Sequence, residues 1–389
     1  MKDPARRAIS HIKRTVLIEN TLFLVLFFIL ICLPALHINR AENSETENRR
    51  LAVFPKLTEQ EGINRRFGQE FDAWFNDRFF LRQQLVARYT KLIGSANHHV
   101  QNDHVLVGQE GWAFLKDDNG IENFKNRSAF SEEDMRLLAD YLKQADEWCR
   151  HHNCHFYFLI PPDKEKIYAE FYPSWVKKSK PDTQSRTYQL IDYLRKNTEV
   201  SVIYPREEML AEKESGDLLY LKNDTHWTER GAYVAYQALH REIFEACRPE
   251  YLQIPSWKTY HRAKGDMNTL FPDLPKDSVS AYLTPAIATS YTFQESGNKP
   301  YTDKYYTNPQ GEYRALFMRD SFSDVLIDFY FGNSFQHITS HWRYILLPED
   351  LQYIEEYQID VVVVETVERL LPKLLNGLKN NHKKDLEVL

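Results

Sequence analysis

His155-Phe156-Tyr157-Phe158-Leu159-Ile160-Pro161-Pro162 is a short apolar and aromatic run stopped by two prolines, the pattern of a buried strand that ends in a loop. Just upstream, Ser131-Glu132-Glu133-Asp134 has the form of a capping box opening a helix that runs to about His151. The pairing recurs down the chain. Val200 to Tyr204, Arg314 to Met318, Tyr344 to Leu347 and Ile359 to Val364 read as strands, and stretches at about 183–196, 229–246, 322–331 and 366–379 read as helices. This alternation predicts an α/β fold, a mainly parallel sheet flanked by helices, over residues 131–389. In such sheets ligands collect at the carboxyl ends of strands, so the residues just after each strand are where chemistry is expected. The stretch 255–311 is less regular and reads as an insertion.

Upstream of that domain, Phe67 to Leu92 shows helical periodicity, with Phe71, Trp74, Phe75 and Phe79 at three-to-four spacing and a break near Arg78. Residues 39–50 are polar and charged, so 39–130 reads as a linker with a helical extension. Thr21 to Leu36 contains no charge and, extended back to Thr15, supplies about the 20 residues a membrane helix needs. Lys2, Arg6, Arg7, Lys13 and Arg14 precede it, which by the positive-inside rule keeps the N-terminus in the cytoplasm. Residues 1–38 are thus expected to be a transmembrane signal anchor, single-pass in a bacterial inner membrane, with the rest of the chain in the periplasm. A cleaved signal peptide competes, but Pro34-Ala35-Leu36-His37-Ile38 offers no small-x-small pair after the apolar core. A buried soluble helix fits poorly with a run that is apolar on all sides.

With 43% hydrophobic and 14% aromatic residues over 389 positions, the chain can bury a large core. Its 49 basic against 55 acidic residues give a net charge of −6, which offers no footprint for nucleic acid. Four cysteines, Cys32, Cys149, Cys154 and Cys247, allow at most one disulfide outside the membrane. Cys149 and Cys154 lack a second cysteine pair and fall short of a zinc site, although His151, His152 and His155 crowd around them, so no metal is expected. No Gly-rich phosphate loop is present, and no cofactor is expected.

Asp224-Thr225-His226-Trp227 comes just before a helix that starts near Glu229. In an extended segment Asp224 and His226 would point to the same side, and a carboxylate beside an imidazole fixes its tautomer and stabilises the imidazolium. The bland alternative makes Asp224 a helix cap and His226 a surface residue. Ser321 is the nucleophile candidate because it falls where an apolar strand ends and an apolar helix begins, at the carboxyl edge of the sheet. Serine is also a common helix cap, and Ser323 and Asp324 are nearby rivals. Ser340-His341-Trp342-Arg343 supplies rings and a cation for an acidic sugar, with Arg343 the candidate for a bidentate carboxylate contact and a structural ion pair the alternative. Lys164 and Tyr168, after the Pro161-Pro162 turn, are similar candidates, and Trp227 joins them beside His226.

Asp-x-His-Trp followed by Asp-Ser-Phe resembles the SGNH-hydrolase-like alginate O-acetyltransferases, the J and X proteins of alginate systems. Further segments resemble that family in the same order: Glu47-Asn48-Arg49 with Leu51-Ala52 and Phe54-Pro55, Asn76-Asp77-Arg78-Phe79, Gly111-Trp112-Ala113-Phe114-Leu115, and Pro161-Pro162-Asp163-Lys164 through Tyr168. The resemblance covers roughly residues 45–365. It implies Ser321 as nucleophile, His226 as general base and Asp224 as the residue that orients the base. The order Asp, His, Ser is permuted relative to ordinary SGNH hydrolases, which is acceptable because triads are defined by geometry. One departure is Arg319 where those hydrolases have glycine before Asp-Ser; a side chain there would crowd the site or supply it with a cation. The implied activity is acetylation of an exported polysaccharide, with a membrane-bound acetyl-exporting acyltransferase as partner. An acetyl esterase and a non-catalytic polysaccharide-binding subunit are the alternatives.

Overall fold

The computed structural model describes residues 103–178, 183–244, 255–262, 264–272, 280–298 and 301–381 almost without interruption, and before them chiefly 20–28, 52–59, 62–64 and 66–79. The chain divides into two compact units, Met1–Asn97 and His98–Leu389. The larger unit therefore begins well before residue 131. The reason is the hairpin of Val105–Val107 with Ala113–Leu115, whose Leu106, Trp112 and Phe114 are buried in its core.

In the first unit the helix Phe67–Arg78 stops where the sequence breaks, with Phe79 in extended conformation. Arg78 Nε donates to the Ala52 carbonyl at 2.7 Å, the Ala52 N–H donates to Asp77 at 2.9 Å, and Phe54 packs edge-on against Trp74. Asn20–Phe28 is helical, and its apolar side chains from Leu22 to Phe28 are exposed. Among the described residues no helix is long and apolar enough to cross a membrane. The rest of the expected anchor, most of the 39–50 linker, residues 80–92, Cys32 and Cys247 lie outside the described residues.

The second unit is built on a seven-stranded sheet. Its strands are β1 (His155–Leu159), β2 (Ser201–Ile203), β3 (Thr292–Asn298), β4 (Tyr301–Thr307), β5 (Arg314–Met318), β6 (His337–His341) and β7 (Val361–Glu365). They lie in the order β3-β4-β6-β5-β7-β1-β2. From β6 to β2 neighbours are parallel, whereas β3 and β4 run antiparallel at one edge. The last strand pair was not legible: 255–311 is no loose insertion, since it holds β3, β4 and a further hairpin of Ser256–Arg262 with Ser280–Ala286. The strand expected at Tyr344–Leu347 is likewise displaced to His337–His341, a polar-looking stretch whose Ile338, Thr339 and Ser340 are fully buried.

Alternation along the strands sorts the core into two layers. Tyr157, Leu159, Phe317, Val361 and Val363 face one layer, packed by α3 (Glu229–Phe244) and α4 (Phe322–Phe329). Phe156, Phe158, Leu316, Met318, Val362 and Val364 face the other, packed by α1 (Glu132–His151), α2 (Arg186–Asn197) and α6 (Leu371–Asn381); α5 (Pro348–Tyr357) contributes Leu351 and Ile354 there. Two-sided burial explains why β7 reads as an unbroken apolar run. The capping box of α1 forms as expected, Ser131 Oγ accepting from the Asp134 N–H at 3.1 Å and the Ser131 N–H donating to Asp134 Oδ2 at 3.3 Å. Cys149, at the end of α1, and Cys154 are buried free thiols.

Candidate active site

Beyond β5 the ladder extends one residue, the Arg319 N–H donating to the His341 carbonyl at 3.0 Å, and the chain then turns sharply into α4. Ser321 occupies the N-cap position of that helix, yet its hydroxyl caps nothing. Asp320 does the capping, its Oδ1 accepting from the Phe322 N–H at 2.9 Å while Oδ2 accepts from the Val367 N–H at 2.9 Å. Beneath the turn lies Glu365, the last residue of β7, fully buried, with Oε2 accepting from the Asp320 N–H and from the Ser323 hydroxyl, both at 3.0 Å. Burial, with Asp320 beside it, holds the Glu365 carboxyl well above the usual range, which favours its neutral form. Ser323 is thereby turned into the core. Asp324 pairs with Lys304 at 2.7 Å and Arg319 at 3.2 Å, and neither rival competes with Ser321.

The base arrives on the segment before α3. Asp224 and His226 share a side because of a turn, not the extended backbone expected: Asp224 Oδ1 accepts from the His226 N–H at 3.0 Å, an Asx-turn. Thr228 caps α3 through the Gly231 N–H at 3.1 Å, which leaves the Asp224 carboxylate for the imidazole. His226 Nδ1 lies 2.8 Å from Asp224 Oδ1, and Nε2 lies 2.6 Å from Ser321 Oγ. With Nδ1–H directed at the carboxylate, Nε2 is left as the acceptor facing the Ser321 hydroxyl. Burial opposes a charged ring, but hydrogen bonds to Asp224 and to Asp266, 3.3 Å from Nδ1, outweigh it and raise the His226 pKa to about 9.

The other expected contacts fall into different places. Lys164 is buried, and its ammonium donates to the carbonyls of Leu221 (3.2 Å), Lys222 (3.2 Å) and Asp224 (2.7 Å), so it shapes the loop bearing His226. Burial pushes that ammonium down to about 8. Tyr168 is a core residue, stacked on Trp112 with its hydroxyl on the Leu219 N–H. Trp227 is buried against Phe322 and donates to the Phe322 carbonyl at 3.1 Å. Arg319 is fully buried, bound to Ser340 Oγ, the Thr302 carbonyl and Asp324, so it neither crowds Ser321 nor presents its cation to the cleft. Arg343 forms the ion pair of its alternative reading, with Asp350 and, at 3.5 Å, Glu349. His341 pairs with Asp303 at 3.0 Å, while Trp342, partly exposed, packs edge-on against Tyr301 at the carboxyl end of β6.

Sequence reading missed Asp266, Glu365 and Arg369. Arg369 pairs with Asp163 at 3.0 Å and lines a small recess beside Thr225, together with Asp117, Lys164, Glu165 and Met267. The strand-end rule pointed to Glu365; Asp266 had no signal, lying in the stretch read as an insertion. Donor atoms of Asp224, His226 and Asp266 lie within 4.8 Å of one another, close enough to surround a cation. A metal at Nδ1 would displace the hydrogen bond that orients the ring, so the arrangement suits proton transfer better.

Residues 105–307, just over half of the chain, match the family described as the SGNH hydrolase-like domain of the acetyltransferase AlgX. That span includes Asp224, His226 and Asp266 and ends before Ser321. No curated protein matches the sequence. Among solved structures, a DHHW family protein from Eubacterium siraeum aligns with TM-score 0.54 at 15% identity, over 72% of this chain and 97% of that one. PatB1 of Bacillus cereus aligns with TM-score 0.50 at 20% identity, over 69% and 97%. The O-acetyltransferase domain of Pseudomonas putida AlgJ aligns with TM-score 0.44 at 18% identity, over 72% and 99%. At these identities the likeness is one of fold. On the family match, this chain belongs to the AlgX-type SGNH hydrolase-like acetyltransferase domains.

Proposed function

We propose that the protein is an O-acetyltransferase that acetylates an exported bacterial polysaccharide through an acetyl-Ser321 intermediate. The observation that carries this is the continuous proton path from Ser321 Oγ through the His226 ring to Asp224, at 2.6 and 2.8 Å. Ser321 Oγ attacks the carbonyl carbon of a donor acetyl ester while its proton passes to Nε2. The tetrahedral adduct collapses, the donor oxygen leaves with that proton, and acetyl-Ser321 remains. A sugar hydroxyl then gives its proton to Nε2 and attacks the acyl carbon, and the proton returns to Ser321 as the acetylated sugar departs. The first N–H groups of a helix lack intrahelical partners; Asp320 takes that of Phe322, leaving those of Ser321 and Ser323 to receive the oxyanion.

The absence of a phosphate loop from the sequence favours a donor other than coenzyme A, supplied across the membrane by an acetyl-exporting acyltransferase. The basic cluster and apolar run of residues 1–38 support a signal anchor in the inner membrane, with the catalytic unit in the periplasm. Tethering there would raise the effective concentration of the encounter. Partial exposure of the His226 side chain, 31%, favours a second reading, an acetyl esterase, because water can reach the acyl-enzyme.

Mass spectrometry of oligosaccharides incubated with the protein and an artificial acetyl donor tests the proposal. Acetylated glycan that disappears with Ser321→Ala is the expected result. Deacetylation of a pre-acetylated polymer without transfer from any donor supports the esterase, and retention of both activities in Ser321→Ala would leave a polysaccharide-binding module.

A further inference from the structure

Residues 264–268 pack onto the loop that carries the base, and their approach depends on Gly265. A Cβ at that position would lie 2.1 Å from the Asn223 carbonyl oxygen and 2.9 Å from Asp224 Cβ, so any side chain would drive the segment away. Asn268 fixes the contact: its Oδ1 accepts from the Gly265 N–H at 2.8 Å and from Asn223 Nδ2 at 2.9 Å. Asp266 is thereby carried to the imidazole. Its Oδ1 accepts from the Thr225 N–H at 2.8 Å, and its Oδ2 accepts from the Thr225 hydroxyl and lies 3.3 Å from His226 Nδ1. Its own N–H donates to Asp224 Oδ2 at 3.3 Å. Nδ1 therefore faces two carboxylates, one of which braces the other.

We infer that Asp266 is a positioning residue for the general base, a second carboxylate that holds the His226 ring and stabilises its imidazolium alongside Asp224. The inference rests on the reading of His226 as the base for Ser321. When the serine proton reaches Nε2, the ring acquires a positive charge whose only close counterions are these two carboxylates among the described residues. They differ in character. Asp224 is 3% exposed and acts as a fixed orienting group, whereas Asp266 is 36% exposed, so its charge is partly screened by solvent and salt. The groups facing the imidazole are Asp224 and Thr225 on its own segment, Asp266 on the packed segment, and Ser321 and Phe322 at the start of α4. Lys164 stands behind, its ammonium on the Asp224 carbonyl at 2.7 Å. In the other direction, His226 holds the Asp266 carboxyl below the usual range despite its partial burial.

The test is a pH titration of the His226 ring by NMR in the full chain labelled at histidine, the resonance assigned by its loss in His226→Gln. Asp266→Asn keeps an acceptor oxygen for Thr225 and should keep the fold, checked by Tm. Its ring midpoint should fall by about one pH unit, the effect of removing one nearby opposite charge, and the pH profile of acetyl-ester hydrolysis should move with it. A midpoint unchanged in a folded Asp266→Asn protein overturns the inference, whatever happens to the rate. Failure of the serine mechanism is read separately: full activity in Ser321→Ala would end that reading, while the titration would still report whether Asp266 acts on the ring.

Discussion

Trp227 Nε1 donates to the Phe322 carbonyl at 3.1 Å, joining the residue after the base to the residue after the nucleophile. The bond spans the gap between two segments that approach the carboxyl edge of the sheet from different elements, α3 and α4, so it ties the segment bearing His226 to the one bearing Ser321. Trp227→Phe keeps a ring against Phe322 and removes the donor. Stability should fall by about 1 kcal/mol, one net hydrogen bond, and kcat should fall more than KM rises, as measured by denaturant melts and acetyl-ester kinetics.

A raised folded pKa on His226 makes stability depend on pH with a defined sign. The charged ring is favoured in the folded chain, so its contribution is fully present below 6.5 and is lost as pH rises through about 9. A rise from 6.5 to about 9 corresponds to at most roughly 3 kcal/mol, less what solvent removes. Urea melts at pH 6 and pH 9.5 should show this decline, and Asp224→Asn should flatten it.

Activity has the opposite slope, because only the neutral ring accepts the serine proton. Acetyl-ester hydrolysis by the free enzyme should climb from neutrality, reach half its maximum at about pH 9 and level off above it, following the His226 midpoint. A profile already flat at pH 7 would contradict the assignment of His226 as a base held between two carboxylates.

Glu365 separates charge from shape. Because its burial favours the neutral form, Glu365→Gln should keep the acceptor for the Asp320 N–H and the Ser323 hydroxyl and cost less than about 1 kcal/mol. Glu365→Ala leaves both donors unpaired beside a cavity, and on the order of 3 kcal/mol should be lost with most of the activity. Thermal melts and esterase rates of the two variants check this.

Arg343 is bound to Asp350, which is buried. Arg343→Ala should therefore destabilise the protein by about 2 kcal/mol, through the carboxylate it leaves behind, with no change in KM for a uronate-bearing oligosaccharide. A selective rise in KM would restore it as a substrate contact.

The central strands were legible because burial on both faces leaves them no polar positions, and α1 because its cap and period coincide. β6 was hidden by His337, Thr339, Ser340 and His341, polar residues that the sheet buries through hydrogen bonds such as Thr339 to Tyr353. Asp224, His226 and Ser321 could be picked out from their positions at element junctions. Asp266 could not, since its approach depends on a glycine forty residues from the base meeting a carbonyl, a contact no local pattern encodes. Lys164 and Arg319 misled for a related reason: both sit after strand ends, and both turn inward to satisfy backbone carbonyls.

Cys149 and Cys154 are buried, and Cys154, by hydrogen bonding with burial added, drives the Cys149 thiol far above its ordinary value. The Cys149 thiolate, the form that would attack oxidants and disulfides, is therefore suppressed in the folded protein. An unfolded chain has no such protection, and only four residues separate its two thiols. Under oxidising conditions folding becomes a race: packing of α1 against β1 must close over the pair before an oxidant joins it. A chain that loses this race carries a crosslink across the turn between them, and its yield should depend on the redox poise during synthesis even though the folded protein buries both thiols.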